Sequence, residues 1–268
     1  MGNLAVMYWI AGRLGEAHVL ARESLEESEK YGQRGFARWD RGVLVQREYE
    51  LGLWDESIAG AEDFLAEVEA GSPHYLAAYC YLARAAIQLG RGEVGTPVED
   101  AGRALARARR AKDPQILYLT LADAAHLLRN TGDVEGAMEL AGEFLAALQA
   151  GRGLGFPVSG VHVLSWTLTA AGRGAELAAA LEYLQDSPWA RAGSAFAEGD
   201  PARAAEICAE MGALTQEAHA RLAAARMLVE QGRRTEADEQ LHRALGFYRS
   251  VGATRYVGEG ESLLAASA

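Results

Sequence analysis

A glycine that recurs at nearly constant spacing constrains the fold of this chain more than any other feature. Apolar residues recur with helical periodicity before Gly232, the glycine interrupts them, and the same periodicity resumes after it. This order predicts a helix, a tight turn and a second helix. The same pattern surrounds six earlier glycines: Gly12, Gly52, Gly90, Gly132, Gly172 and, in a shortened unit, Gly199. The successive spacings of 40, 38, 42, 40, 27 and 33 residues are typical of helical-repeat proteins.

Small residues flank these glycines at fixed distances. Seven residues before them, the chain has Ala5, Val45, Ala83, Ala125, Ser165, Ala192 and Ala225. Five residues after them, it has Ala17, Ser57, Gly95, Ala137, Leu177, Ala204 and Ala237. Small side chains allow the two helices of a hairpin to approach closely where they cross. The sequence therefore predicts a series of antiparallel helix pairs.

The small residue, the turn glycine and the alanine at these offsets resemble the tetratricopeptide (TPR) consensus. The match covers nearly the whole chain and is clean around Gly12, Gly132 and Gly232, whereas the third, fifth and sixth units depart from the pattern. The resemblance implies an all-α, right-handed superhelical solenoid of antiparallel helix pairs, with about seven repeats and a C-terminal capping helix.

We predict a single, elongated helical-repeat domain that spans residues 1–268. Its expected parts are regular repeats in 1–150, a glycine-rich link at 151–160, less regular repeats in 161–252 and the capping helix in 253–268. The link contains four glycines and a proline, which favours a kink or a mobile loop. Only residues 156–163 have a composition that also allows a strand.

Composition limits the partners and the compartment. A formal net charge of −11 and a pI near 5.1 disfavour binding to nucleic acid and to anionic membranes. No apolar run is long enough to span a bilayer. The two cysteines, Cys80 and Cys208, lie several repeats apart, which argues against a disulfide. We therefore expect a cytoplasmic protein that binds neither nucleic acid nor membrane.

No catalytic motif is present in the sequence. There is no phosphate-binding loop, and Lys30 and Lys112 are the only lysines. The G-x-S-x-G, H-E-x-x-H and C-x-x-C motifs are also absent. A metal site that joins Cys80, His126 and His162 is disfavoured, because neighbouring repeats are separated by roughly 10 Å. We predict a protein that is not an enzyme and needs no cofactor.

The first helices of the repeats are expected to line a concave groove. Counted back from the turn glycines, these helices would project polar and aromatic side chains to the inside. The candidate binding residues are Gln46, Tyr49, Arg84, Gln88, His126, Arg129, Asn130, His162 and Trp166. Arginines and carboxamides can pair with a peptide backbone or a carboxylate, and Trp166 offers an apolar platform. The alternative is that these are ordinary solvated residues on a long surface.

The C-terminal part has a more specific resemblance. The string ALGFYRSVGATRY (244–256), within a region of roughly 193–268, is similar to the tail of large bacterial signalling proteins. These join a class III adenylate/guanylate cyclase domain, or a related regulatory head, to a nucleotide-binding ATPase module and a long helical-repeat tail. Tails of helix-turn-helix transcriptional activators built on the same ATPase plan are a related alternative. The resemblance implies a regulatory tail whose catalytic and nucleotide-binding modules would lie upstream.

We therefore predict a non-catalytic module that binds a protein or peptide partner, or upstream domains of its own parent protein, and so transmits regulation. Two alternatives stay open: a sensor that holds a small molecule or a peptide inside the superhelix, and an assembly scaffold. The first repeat has no polar capping helix before Leu4, Met7, Trp9 and Ile10. These residues are expected to be exposed, so that this end forms a homodimer or contacts an upstream repeat.

Overall fold

The computed structural model describes residues 2–150, 158–181 and 186–267 of the chain. These segments form fifteen helices and contain no strand. The helices are α1 (Gly2–Ile10), α2 (Leu14–Lys30), α3 (Arg34–Glu50), α4 (Trp54–Glu69), α5 (Ala77–Gly90), α6 (Gly95–Ala111), α7 (Pro114–Thr131), α8 (Val134–Gln149), α9 (Val158–Ala170), α10 (Gly174–Leu181), α11 (Pro188–Ala197), α12 (Pro201–Met211), α13 (Leu214–Glu230), α14 (Arg234–Ser250) and α15 (Thr254–Ser267). The predicted TPR-like solenoid of seven helix pairs and a closing helix is confirmed. Residues 151–157 of the predicted link lie outside the described residues, and the chain is helical from Val158 onwards.

Glycines in the left-handed region of backbone space form the turn inside each hairpin, because side chains are strained there. Six of the seven predicted turn glycines have φ between 73° and 99°. The third is corrected: Gly90 ends α5, and Gly92 carries the φ of 97°. Gly90 lacks a side chain for a different reason, since a Cβ there would lie 2.9 Å from the Trp54 ring. With Gly92, the first five turn glycines are each 40 residues apart.

The corrected register places buried residues where the helices cross. In the third unit, Ala85 replaces Ala83 seven residues before the turn, and Pro97 replaces Gly95 five residues after it. All seven residues of the first column, from Ala5 to Ala225, are at most 1% exposed. The close crossings that the sequence predicted are therefore present in every hairpin.

The odd-numbered helices form the inner layer of the superhelix. Each of α3, α5, α7 and α9 packs on the next odd-numbered helix as well as on its hairpin partners. In addition, α13 contacts α3 and α15 contacts α5, so inner helices meet across the interior. The expectation of an elongated domain that keeps distant repeats apart is wrong, because successive turns of the superhelix pack on each other.

The packing between turns joins each of the first three units to the element five positions later. Between the second and seventh units, Trp54 Nε1 donates a hydrogen bond to Thr215 Oγ1 at 3.0 Å. Between the third unit and the closing helix, Thr254 Oγ1 donates to the Arg91 carbonyl at 2.9 Å. One turn of the superhelix therefore takes about five repeats.

The first unit packs on the sixth unit, which corrects the expectation for the N-terminal repeat. Trp9 is 6% exposed, and its ring centroid lies 5.8 Å from that of Trp189 in α11. Trp189 Nε1 donates a hydrogen bond to the Trp9 carbonyl at 2.9 Å. Leu4 and Met7 remain exposed. The later repeats of the same chain thus cover Trp9, so this tryptophan is not available to a partner.

Three further expectations can be compared with the described residues. None of the helices described here is both long and apolar enough to cross a bilayer. Cys80 and Cys208 are buried free thiols, and the argument from the distance between repeats was incomplete because distant repeats do meet. Within the described segments, no group of three or more potential ligand side chains could hold a metal ion.

Candidate binding groove and central cavity

Six odd-numbered helices enclose a cavity of about 50 Å³, which we call the central cavity. Its lining consists of Gln46, Tyr49 and Glu50 from α3, Tyr79, Leu82, Ala83 and Ala86 from α5, Leu119, Asp123, His126 and Leu127 from α7, Gly160, Val163 and Trp166 from α9, Trp189 from α11, and Gln216 from α13. This lining includes two carboxylates but no lysine or arginine.

A larger depression of about 1130 Å³, which we call the open groove, lies against α1, α3 and the N-terminal ends of α5 and α7. Its lining consists of Gly2, Asn3, Val6, Met7, Trp9, Ser24, Glu27, Ser28, Gln33, Gly35, Phe36, Trp39, Asp40, Val43, Gln46, Arg47, His74, Tyr75, Leu76, Tyr79, Gln115, Ile116 and Leu119. Gln46, Tyr79 and Leu119 line both spaces, so the open groove and the central cavity are adjacent.

Four of the predicted binding residues meet in the central cavity. Gln46 and Tyr49 come from α3, His126 from α7 and Trp166 from α9. The rings of His126 and Trp166 make an edge contact, with centroids 5.0 Å apart. Gln46, His126 and Trp166 each lie six residues before a turn glycine, so that the 40-residue period brings them to one level of the inner layer.

Arg84 and Gln88 do not line either space. Arg84 Nε and Nη2 donate to the Asp100 carboxylate in α6 at 2.7 and 2.9 Å, and Asp100 is fully buried. The physical reason is the register of the third turn: six residues before Gly92 stands Ala86, which does line the central cavity. Gln88 lies further along α5, and its Oε1 has no hydrogen-bond partner among the described residues.

The remaining three candidates are Asn130, Arg129 and His162. The Asn130 side chain donates to the His126 carbonyl at 2.9 Å. Arg129 is half-buried, and burial together with the nearby Arg226 lowers the pKa of its guanidinium. His162 is fully buried, and its Nε2 lies 3.6 Å from Cys208 Sγ. None of these three side chains lines the central cavity.

Two carboxylates that the sequence analysis did not select dominate the electrostatics of the central cavity. Burial raises the pKa of Glu50 to about 8, although Trp9 Nε1 donates to its Oε2 at 2.6 Å. Burial also raises the pKa of Asp123 to about 7. Asp123 adds to the raised pKa of Glu50 through charge repulsion. Removal from water, with no cation in the lining, makes both ionised forms costly.

The histidines of the interior are held neutral. Burial lowers the pKa of His126 to about 3 and that of His162 to about 3. The pKa of His219 also lies well below its ordinary value, again mainly because of burial. These rings therefore act at neutral pH as uncharged aromatic surfaces and hydrogen-bonding groups.

Several lining residues were missed from sequence alone. Asp123 had a detectable signal, because it is the single charged residue in the otherwise apolar run Ile116–Ala125. Phe36, Trp39 and Tyr75 of the open groove lie outside the column that was counted back from the turn glycines. Phe36 and Trp39 belong to the first turns of α3, and Tyr75 belongs to the segment before α5. These residues line a single groove because α1 packs beside them.

The buried carboxylates predict a loss of stability at alkaline pH. The folded-state pKa of Glu50, about 8, exceeds the unfolded value, so the folded chain retains a proton that the unfolded chain has lost. The free energy of unfolding should therefore fall as the pH rises through this range, with Glu50 alone accounting for about 2–3 kcal/mol between pH 6 and pH 9.

Urea unfolding at both pH values, for the wild type and for Glu50→Gln, measures this effect. The Glu50→Gln chain should lose less stability than the wild type, whereas the exposed control Glu139→Gln should behave like the wild type. An identical pH dependence for Glu50→Gln and the wild type would contradict the assignment.

The fold is similar to that of solved TPR-like structures. No family model matches the sequence, and no curated protein matches it either. The structure of a Rap protein complexed with Competence and Sporulation Factor aligns with a TM-score of 0.70 and 11% identity, over 92% of this chain and 73% of the Rap chain. A kinesin light chain from Podosopora anserina with nearly identical TPR-like repeats aligns with a TM-score of 0.41 and 18% identity, over 80% of this chain and 94% of that chain. At 11% identity, the alignment with the Rap protein establishes the fold alone, and together with the helix pairs described above it shows that this chain has a TPR-like helical-repeat architecture.

Proposed function

We propose that this chain is a non-catalytic peptide-binding module whose ligand lies in the open groove. The observation that carries the proposal is the exposed aromatic and apolar lining of a groove of about 1130 Å³. This volume exceeds the range of roughly 300–1,000 Å³ that is usual for small-molecule sites, and it suits a short peptide. The ligand is either a segment of a partner protein or a segment of upstream domains in a larger parent protein.

The rings of the groove are arranged to accept apolar side chains. Phe36 is 67% exposed and Tyr75 is 41% exposed. Trp39 Nε1 donates to the Tyr75 hydroxyl at 2.7 Å, and the Tyr75 ring stacks on His74 with centroids 4.9 Å apart. These contacts hold the rings in place before a ligand arrives, which reduces the entropy lost on binding.

The regulatory context is part of the proposal. The resemblance of residues 193–268 to tails of bacterial signalling proteins and transcriptional activators supports a role in signal transduction inside the cell. The Rap protein of similar fold forms a complex with Competence and Sporulation Factor, which supports the use of this architecture for holding a ligand. A packed superhelix offers a route for regulation, because a ligand between repeats can change how successive turns pack.

A small-molecule sensor is the second candidate function. The central cavity favours it, because this cavity is enclosed by six helices and contains polar groups that converge from α3, α7 and α13. A ligand restricted to about 50 Å³ would be much smaller than a peptide. The two functions therefore differ in whether residues of the open groove contribute to binding.

Selection from a display library of short random peptides on the immobilised wild-type chain tests the proposal. Selected peptides should bind Phe36→Ala and Tyr75→Ala about tenfold or more weakly, because exposed anchors of this kind carry much of the energy of peptide recognition. Tyr31→Ala is the matched control, since Tyr31 is 63% exposed and does not line the groove. Peptides that bind all three variants as tightly as the wild type would refute the groove.

A further inference from the structure

We propose that the central cavity receives a positively charged side chain, a lysine or arginine of the peptide that lies in the open groove. The carboxylates of Glu50 and Asp123 would bind this group, and the rings around them would cover it. The inference rests on the proposed function and specifies the chemistry of its ligand.

Charge is the first argument. Glu50 and Asp123 both face the central cavity, and no cationic side chain lines it. Outside the lining, the buried Arg47 guanidinium donates to the carbonyls of Ala5 and Ala17 at 3.0 and 3.3 Å, and its charge lowers the pKa of Glu50 against the larger effect of burial. Asp123 therefore has no counterion among the described residues of the lining, and a cation from a ligand would supply one between Asp123 and Glu50.

The hydrogen-bonding state of the lining is the second argument. Gln216 Oε1 is an acceptor without a partner among the described residues, although Gln216 is only 5% exposed and lines the cavity. No described residue donates a hydrogen bond to Asp123, whose pKa is raised by burial alone. Unused acceptors on two facing helices, α7 and α13, suit a ligand that brings several donors and no acceptor. Guanidinium and ammonium groups have this property.

Aromatic rings are the third argument. Tyr49, Tyr79 and Trp166 contribute aromatic rings to the lining of the same cavity. A cation held within about 6 Å of such rings is attracted by their quadrupoles, most strongly where water is excluded. A combination of carboxylates and aromatic rings discriminates a cationic side chain from an apolar one of the same size.

Size and access agree with this ligand. A water-sized atom needs roughly 10–15 Å³, so about 50 Å³ holds roughly three to five such atoms. A guanidinium group, with its central carbon and three nitrogens, has this size. Gln46, Tyr79 and Leu119 lie between the cavity and the open groove, and in the proposed complex the apolar stem of a lysine or arginine would pass along them.

The experiment compares the amino-acid preferences of two chains. The display library is selected in parallel on the wild type and on the double variant Glu50→Gln, Asp123→Asn, with Glu139→Gln as a control for removal of an exposed carboxylate. We expect lysine or arginine to be enriched at one position by the wild type and by the control, but not by the double variant. A selected peptide in which citrulline replaces that arginine should bind the wild type about tenfold or more weakly, because citrulline keeps the shape and loses the charge.

A peptide pool that shows groove-dependent binding but no enrichment of basic residues on the wild type would overturn this inference and leave the proposed function intact. If no peptide binds at all, the proposed function fails, and calorimetry with free agmatine decides the cavity separately. Agmatine binding that the double variant abolishes would support a cation site for a free amine. Absence of agmatine binding to the wild type in that case would overturn the inference.

Discussion

Replacing Trp189 by alanine is expected to lower the free energy of unfolding by about 3–5 kcal/mol, the range for removing a fully buried large aromatic side chain. Trp189 is 1% exposed and connects the sixth unit with the first. The substitution removes its ring from the contact with Trp9 and leaves the Trp9 carbonyl without the indole donor. Urea-induced unfolding followed by circular dichroism measures the change.

The control for this prediction is Trp39→Ala. This variant also loses a tryptophan side chain, but Trp39 packs within one turn of the superhelix, whereas Trp189 packs between two turns. Trp39 is only partly buried, and its indole donates to Tyr75 in the neighbouring repeat. Its loss should cost clearly less than the loss of Trp189. If the two variants are equally stable, or if Trp189→Ala differs from the wild type by less than about 1 kcal/mol, then packing between turns does not contribute to stability as the structure implies.

The local repeat was predictable from the sequence because it depends on short-range constraints. A glycine at positive φ and small residues at a helix crossing leave a signal within a single hairpin. The one error in this register, Gly90 for Gly92, arose because Gly90 is also required to be small, in this case by Trp54 and Tyr256. Gly90 is required by packing and Gly92 by the turn, and the two glycines lie two residues apart. The repeat spacing alone does not show which of them forms the turn.

The closure of the superhelix was not predictable in the same way. It depends on contacts such as Trp54 with Thr215, which are 161 residues apart and leave no periodic signal. Small differences in the rotation between repeats add up along the array and decide whether distant units meet. Gln46, His126 and Trp166 could be identified from the sequence, because they occupy the same position in their repeats. Gln216 could not, because only the closure of the superhelix brings it to the central cavity.

The register error also changes the role expected for Arg84, and this leads to the second large effect. Arg84→Ala should destabilise the chain by about 3–5 kcal/mol, because it leaves the fully buried Asp100 carboxylate without its main partner. Arg103 is a weak substitute, since its Nη1 lies 3.5 Å from Asp100 Oδ1 and its side chain is half exposed. Chemical denaturation of the purified variant measures the loss.

A second variant separates the ion pair from the loss of packing. In the double variant Arg84→Met, Asp100→Leu, both charges are replaced by apolar side chains, so no buried charge remains without a partner. We expect this chain to be more stable than Arg84→Ala, and to bind selected peptides like the wild type, because neither residue lines the open groove or the central cavity. The sequence had instead placed Arg84 in the binding groove. Arg84→Ala with unchanged stability but abolished peptide binding would favour that placement, whereas an unstable Arg84→Ala together with a stable, binding-competent double variant would assign Arg84 to the core of the third hairpin.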